Sequence, residues 1–289
     1  MISAALVSGL GLGSMYGLLA LGFYVTYAVS GTVNFAQGSS LTLGAVLAFG
    51  LVHGLGWPMA VALVPILASC ALYGALVEIL AVRPFVKRGS DAWLMATVAL
   101  GIVLDNVVLF TFGKEPRSLA STLATSTYDI AGLRVSVLQL LIPAVGIALA
   151  FALHVVARRT RWGTAMLAVV QNRDAARLMG IPAGRVVMIA FALSSMFAGI
   201  AGVLIAPLYN IHSDMGTLFG LKAFAVAILG GIANARGVMI AGLIFGVVEA
   251  LVTALLGSGY TQIITFSLVI AALAWRPEGL FGRARVHKV

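Results

Sequence analysis

Nine apolar runs, most near the length of a membrane crossing and separated by short polar connections, constrain this chain more than any other feature. A helix rises about 1.5 Å per residue and a hydrocarbon core is about 30 Å thick, so roughly 20 apolar residues make one crossing. The runs fall near 3–29, 38–53, 58–82, 91–112, 135–157, 186–206, 217–232, 237–257 and 259–275. Inside a bilayer every backbone N–H and C=O needs a partner within the protein, and a helix supplies it locally. The expectation is an all-α, polytopic transmembrane helix bundle of about eight to ten spans. Runs 38–53 and 217–232 are short and edged by glycine and polar residues, which predicts discontinuous or re-entrant helices there.

Composition agrees: 61% of residues are hydrophobic, 9% are charged and the mean hydropathy is +1.09. A net charge of +9 is compatible with nucleic-acid binding, but the Lys and Arg residues sit between apolar runs and not along one solvated face, so no nucleic-acid partner is expected. Of 18 basic residues, 13 lie in connections 83–90 and 158–185 and after 275. The positive-inside rule makes those connections cytoplasmic. Alternation through nine spans then puts the N-terminus outside, the C-terminus in the cytoplasm and the Lys114 to Arg134 loop outside. The opening MISAALVSGLGLGSMYG lacks the basic start of a cleaved signal and reads as the first span. Cys70, the single cysteine, lies in an apolar run and has no internal disulfide partner.

Small residues recur every fourth position at Gly9, Gly13 and Gly17, at Ala198, Gly202 and Ala206, and at Gly242 and Gly246. At that spacing they share a helix face and let backbones approach closely, so bundle packing is their expected role.

Chemistry-bearing motifs are few. The chain has no GxxxxGKS or GxxxxGKT phosphate loop, no HExxH and no CxxC, and its four histidines, His53, His154, His212 and His287, are scattered. No metal, cofactor or catalytic constellation is expected in this chain. Four ionisable residues interrupt apolar runs. They are Glu78, Asp105, Lys222 and Glu249; Glu78 falls near a cytoplasmic end and reads as interfacial, while Asp105 with Asn106, and Glu249, lie deeper. Asp105 and Glu249 fit either a pore lining or a buried hydrogen-bond network. Asn34 and Gln37, between Gly31 and Gly38, predict a break in helical structure that needs protein or a watery cavity around it.

The longest polar connection runs RRTRWGTAMLAVVQNRDAARLMGIPAGR from Arg158 to Arg185. Asp174 near a helix start, Ala and Leu after it, and Gly180 followed by Pro182 predict a short surface helix. Ala175, Leu178 and Met179 then form an apolar ridge shaped for a partner's groove.

The DAARLMG run resembles the EAAxxxG signature of ABC importer permeases, with Asp174 in place of the usual Glu. The stretch GLGLGSMYGLLALGFYVTYAVSGTVNFAQGSSLTLGA resembles the opening of the branched-chain amino acid ABC permease family. Similarity continues through RTRWGTAMLAVVQNRDAARLMGI and AILGGIANARGVMIAGLIFGVVEAL, over nearly the whole chain. The resemblance implies one permease domain over 1–289 with a coupling segment at 158–185. Gln171, Asn172, Arg173, Asp174, Ala175, Ala176, Leu178, Met179 and Gly180 become the helix that meets an ATPase. Asn34, Phe35, Ala36, Gln37 and Gly38 become a break beside the translocation path, with Gln37 where the family often has His. Asp105, Asn106 and Glu249 are further path candidates from their own chemistry.

The same resemblance implies a bacterial inner-membrane importer of branched-chain amino acids or a related small polar solute. Its partners are a second permease subunit, homologous or identical, two cytoplasmic ATPase subunits carrying ATP and Mg, and a periplasmic solute-binding protein, all set in membrane lipid. A stand-alone secondary transporter or channel also has deep charges and discontinuous helices. The long basic connection with its helix signature argues for the importer.

Overall fold

The computed structural model describes residues 2–130 and 133–282, so Arg283, Arg285, His287 and Lys288 lie outside the described residues. Among the described residues, seven helices are long and apolar enough to cross a membrane. They are α1 (Ile2–Ser30), the continuous stretch Met59–Lys87, α5 (Trp93–Phe112), α7 (Val137–Arg159), α10 (Ala183–Ile205), α12 (Ala235–Leu256) and α13 (Ser258–Trp275). Met59–Lys87 comprises α3 (Met59–Val77), a π-helical stretch at Glu78–Val82, and α4 (Arg83–Lys87). A four-residue α6 (Thr122–Thr125) lies in the connection before α7. Two apolar helices are shorter: α2 (Gln37–Ala48), extended by a π turn at Phe49–Gly54, and α11 (Met215–Leu229). These are the runs whose length predicted discontinuity, and the nine runs each become helical.

Helix α1 is the axis of the bundle, surrounded by α7, α10, α11 and α12. Its glycines explain the close approach of α12. A Cβ added at Gly13 would lie 2.7 Å from the Gly242 carbonyl oxygen, and one at Gly9 would lie 2.7 Å from Val247 Cα. Backbones that near one another gain dispersion contact that lipid cannot supply, which is how small-residue faces hold membrane helices together. On the other side, a Cβ at Gly44 of α2 would lie 2.6 Å from Gly199 Cα of α10. Outer helices α5, α7 and α13 present Phe110, Phe151 and Ile270 outward, as a lipid-facing surface requires.

The end of the bundle where α5 finishes and α7 begins carries a hairpin absent from the sequence reading. Strands β1 (Thr127–Ile130) and β2 (Leu133–Ser136) pair antiparallel. Ser136 then starts α7 through a capping box: its hydroxyl accepts from the Gln139 N–H at 3.2 Å, and Gln139 Oε1 accepts from the Ser136 N–H at 3.1 Å. The same end is tied by Arg117, which exchanges backbone hydrogen bonds with Ile211 at 3.0 and 2.7 Å. Its guanidinium lies 4.6 Å from the Phe112 ring centroid. Polar helices α8 (Arg161–Gln171) and α9 (Arg173–Leu178) follow α7 at the opposite end.

Candidate translocation and coupling sites

Ser30 ends α1, Gly31 takes a left-handed φ of 71°, and the chain stays irregular until Gln37 starts α2. Glycine bears that backbone without the clash a Cβ would introduce. The freed polar groups are satisfied by protein. Asn34 Oδ1 accepts from the Ala36 N–H at 3.1 Å, which closes the turn. Gln37 Nε2 donates to the Ser194 carbonyl at 3.0 Å, and the Ser194 hydroxyl donates to Gln37 Oε1 at 2.7 Å. One turn on, the Ser40 hydroxyl donates to Ser195 Oγ at 3.1 Å. Asn34 and Gln37 are fully buried, and Phe35 packs on Phe224 with ring centroids 5.0 Å apart. Gly38 touches Gly216 and Gly220, so the starts of both short helices meet, and the Gly216 N–H donates to Thr42 Oγ1 at 3.0 Å. The break therefore joins α2 to α10 and α11 in the interior.

The deep charges divide into a closed pair and an open site. Lys222 Nζ on α11 lies 2.5 Å from Glu249 Oε1 on α12, and both side chains are buried. Tyr16 of α1 stands beside them, with Lys222 Nζ 5.9 Å from its ring centroid and Phe245 at 5.5 Å centroid to centroid. Glu249 Oε2 and the Tyr16 hydroxyl are buried with no hydrogen-bond partner among the described residues. Asp105 on α5 is half-buried. Its Oδ2 accepts from the Thr217 hydroxyl on α11 at 3.5 Å, while Oδ1 is buried without a partner among the described residues. Asn106 belongs to a different surface: it is exposed and donates to the Ile102 carbonyl of its own helix at 2.8 Å.

Glu78 lies near the α4 end of its stretch. It is buried in the π-helical stretch, and Arg83 grips it, with Nε 3.0 Å from each carboxylate oxygen and Nη2 2.6 Å from Oε2. At the same end, Arg173 has its Nε buried with no partner among the described residues. Burial, and then the neighbouring Arg177 charge, lower its pKa from the ordinary value.

Thr160 starts α8, its hydroxyl accepting from the Gly163 N–H at 3.0 Å. Asn172 separates α8 from α9 and caps the latter, Oδ1 accepting from the N–H groups of Asp174 and Ala175 at 3.1 and 3.0 Å. Asp174 reaches back to Arg177 at 3.5 Å. Gly180, with φ 79°, ends the helix and turns the chain towards α10. Ala176 is buried against the bundle, whereas Gln171, Asn172, Asp174 and Ala175 are exposed. Leu178 and Met179 are 89% and 82% exposed. The ridge is thus Ala175, Leu178 and Met179, with Ala176 as the foot that seats it.

A family model for the permease component of branched-chain amino acid transport systems matches residues 5–273. The chain belongs to this permease family. The high-affinity branched-chain amino acid transport system permease protein LivH of Escherichia coli K12 is 32% identical, across 98% of this chain and 96% of its own length. BraD of Pseudomonas aeruginosa, a permease protein of the same description, is 31% identical across 98% and 97%. The probable LivH of Methanocaldococcus jannaschii is 29% identical across 92% and 88%. In this permease the matched span runs from the first turns of α1 into α13, so the break and the polar connection both belong to the family's common body.

Proposed function

We propose that this permease is the membrane subunit of an ATP-driven importer that passes branched-chain amino acids, or a related small polar solute, to the cytoplasm. In this reading a second permease subunit pairs with it, a periplasmic binding protein delivers the solute, and two cytoplasmic ATPase subunits bind ATP and Mg. The observation that carries it is the tip of α9, where Leu178 and Met179 stand almost wholly exposed beyond a polar connection rich in arginine. Large apolar side chains held out on a capped helix in water are a docking feature, and a groove in a partner is their natural environment.

The connection from that tip to the interior is short. Gly180 and Pro182 lead from α9 directly into α10, a single 23-residue helix. Helix α10 carries Ser194 and Ser195, which hold Gln37 and Ser40. Helix α2 in turn rests on the start of α11. A push or pull at α9 moves α10 as a rigid element and reaches the break through those bonds, which gives alternating access a mechanical basis. Asp105, half-buried beside the start of α11 and close to the Thr217 hydroxyl, is the charge best placed to meet a solute ammonium on the way. The basic connections make the α8–α9 end cytoplasmic, with the N-terminus and the hairpin outside.

Reconstitution of this chain with its ATPase and binding-protein partners in liposomes tests the reading. ATP-dependent uptake of leucine, isoleucine or valine is expected. Equal uptake without ATPase or ATP overturns it in favour of a stand-alone transporter. Topology has its own check in a Cys70→Ser background. Ser118→Cys should label with an impermeant thiol reagent only from outside and Ala175→Cys only from the cytoplasm, and the reverse pattern overturns the orientation.

A further inference from the structure

A cavity of about 1000 Å³ opens at the α8–α9 end of the bundle, between the last turns of α1 and α7, the start of α12 and the turn after α13. Its polar lining is cationic. Arg158 and His154 come from α7 and Arg236 from the first turn of α12, and neither arginine forms an ion pair among the described residues. The α12 N-terminus faces the same space through Asn234 to Arg236, adding the positive end of a 22-residue helix. Glu278 is the one carboxylate among the lining residues, so two guanidinium groups and a helix start outweigh it.

The depth of this cavity is marked independently of its charge. Tyr24 and Tyr27 line it, and Trp275, two residues before the lining Pro277, is 90% exposed. Tyrosine and tryptophan gather at the level of lipid headgroups, where a ring meets hydrocarbon and its polar edge meets water. Guanidinium groups from two helices line this one cavity, and guanidinium is well matched to phosphate oxygens.

We propose that this cavity binds the phosphate of an anionic phospholipid headgroup. The chemistry recognised is a phosphate diester, held by Arg158, Arg236 and the α12 N-terminus while the acyl chains lie along the outer helices. The alternative source of the same chemistry is free phosphate. A lipid is favoured because Tyr24 and Tyr27 line the cavity beside the ends of membrane-crossing helices, where an anionic headgroup is already concentrated. The inference requires only that the chain is a membrane protein. It rests neither on the identity of the solute nor on the ATPase partners, so its failure leaves the importer reading standing.

Native mass spectrometry of the full-length protein, released from membranes containing phosphatidylglycerol and phosphatidylethanolamine, tests it. Phosphatidylglycerol should remain bound in preference to phosphatidylethanolamine. Since a basic residue near an anionic surface contributes about 1 kcal/mol, Arg158→Gln and Arg236→Gln should each lower retention about fivefold. Arg158→Lys with Arg236→Lys, which keeps both charges, should retain the lipid, and so should Arg185→Gln, which lies on another surface. Equal retention of the two lipids by the parent protein would overturn the proposal. So would unchanged retention in the double Gln variant, or loss in the double Lys variant as severe as in the Gln pair. Displacement of the lipid by millimolar inorganic phosphate would overturn the lipid as the source.

Discussion

The break at Asn34–Gly38 and the tip of α9 are both interruptions flagged by polar residues and glycine, yet the structure treats them in opposite ways. At the break, polar side chains are buried and bonded to α10, and the glycine there lets α11 approach. At the tip, polar groups cap the helix locally and the large apolar side chains are left outside. The contrast shows where each region's missing partner lies. A segment that satisfies its own polar groups internally is finished by its own fold, whereas one that exposes Leu178 and Met179 is, in the proposed reading, left for another chain to cover.

Substitutions should therefore register on stability at the first kind of region and on association at the second. The largest stability loss belongs to the interior ion pair. Glu249→Ala leaves Lys222 buried and uncompensated and should destabilise the protein by about 3–5 kcal/mol, read as a lowered melting temperature in detergent. Replacing both residues with Met should recover part of that loss. Gln37→Leu comes next, at about 2–3 kcal/mol, because it leaves buried groups on Ser194 without their partner. A Gln37→Leu protein that melts with the parent would show that the break is not held as described.

Within α9 the inner and outer faces can be separated. Ala176→Asp places a charge in the seat and should cost about 1–3 kcal/mol. Ala175→Asp, on the exposed face, should stay within about 0.5 kcal/mol. Equal melting of the two variants would contradict the assignment of faces.

The smallest effect is expected at the hairpin end of the bundle. His212 Nδ1 lies 2.6 Å from Asp214 Oδ1, and that hydrogen bond holds the Asp214 carboxyl below its ordinary pKa. A depressed carboxylate stabilises the fold above the ordinary carboxylate range and loses that contribution as pH falls through the folded value. Since Asp214 is largely exposed, Asp214→Asn should cost less than about 1 kcal/mol at neutral pH, and the difference should vanish in acid.

Much of this architecture is legible in the sequence because helix length and lipid thickness are both one-dimensional. The runs at 38–53 and 217–232 are short and edged by glycine, which predicted discontinuous or re-entrant helices, and they became the short helices α2 and α11. Glycines at four-residue spacing announced close-packing faces on α1 and α12, since that spacing places them on one face of each helix. Pairing between distant segments is another matter. Glu249 and Lys222 were each visible as costly charges, but nothing in their spacing says that α11 and α12 present them to each other. Gln37 finds its partner 157 residues away, which no local pattern encodes. Glu78 looked interfacial by position, and only the π-helical stretch and Arg83 explain how it is buried. The hairpin at 127–136 escaped notice because four-residue strands carry too little alternation to stand out.

The central claim is that the α9 tip is the surface completed by an ATPase. Leu178→Ser with Met179→Ser tests it most directly, in copurification of the permease with its ATPase subunits from membranes, with the melting temperature of the isolated permease measured alongside. The account predicts ATPase recovery reduced about tenfold or more, as removal of central apolar anchors worth over about 1.4 kcal/mol would produce, at an unchanged melting temperature. Full ATPase recovery with the parent's melting temperature would contradict it.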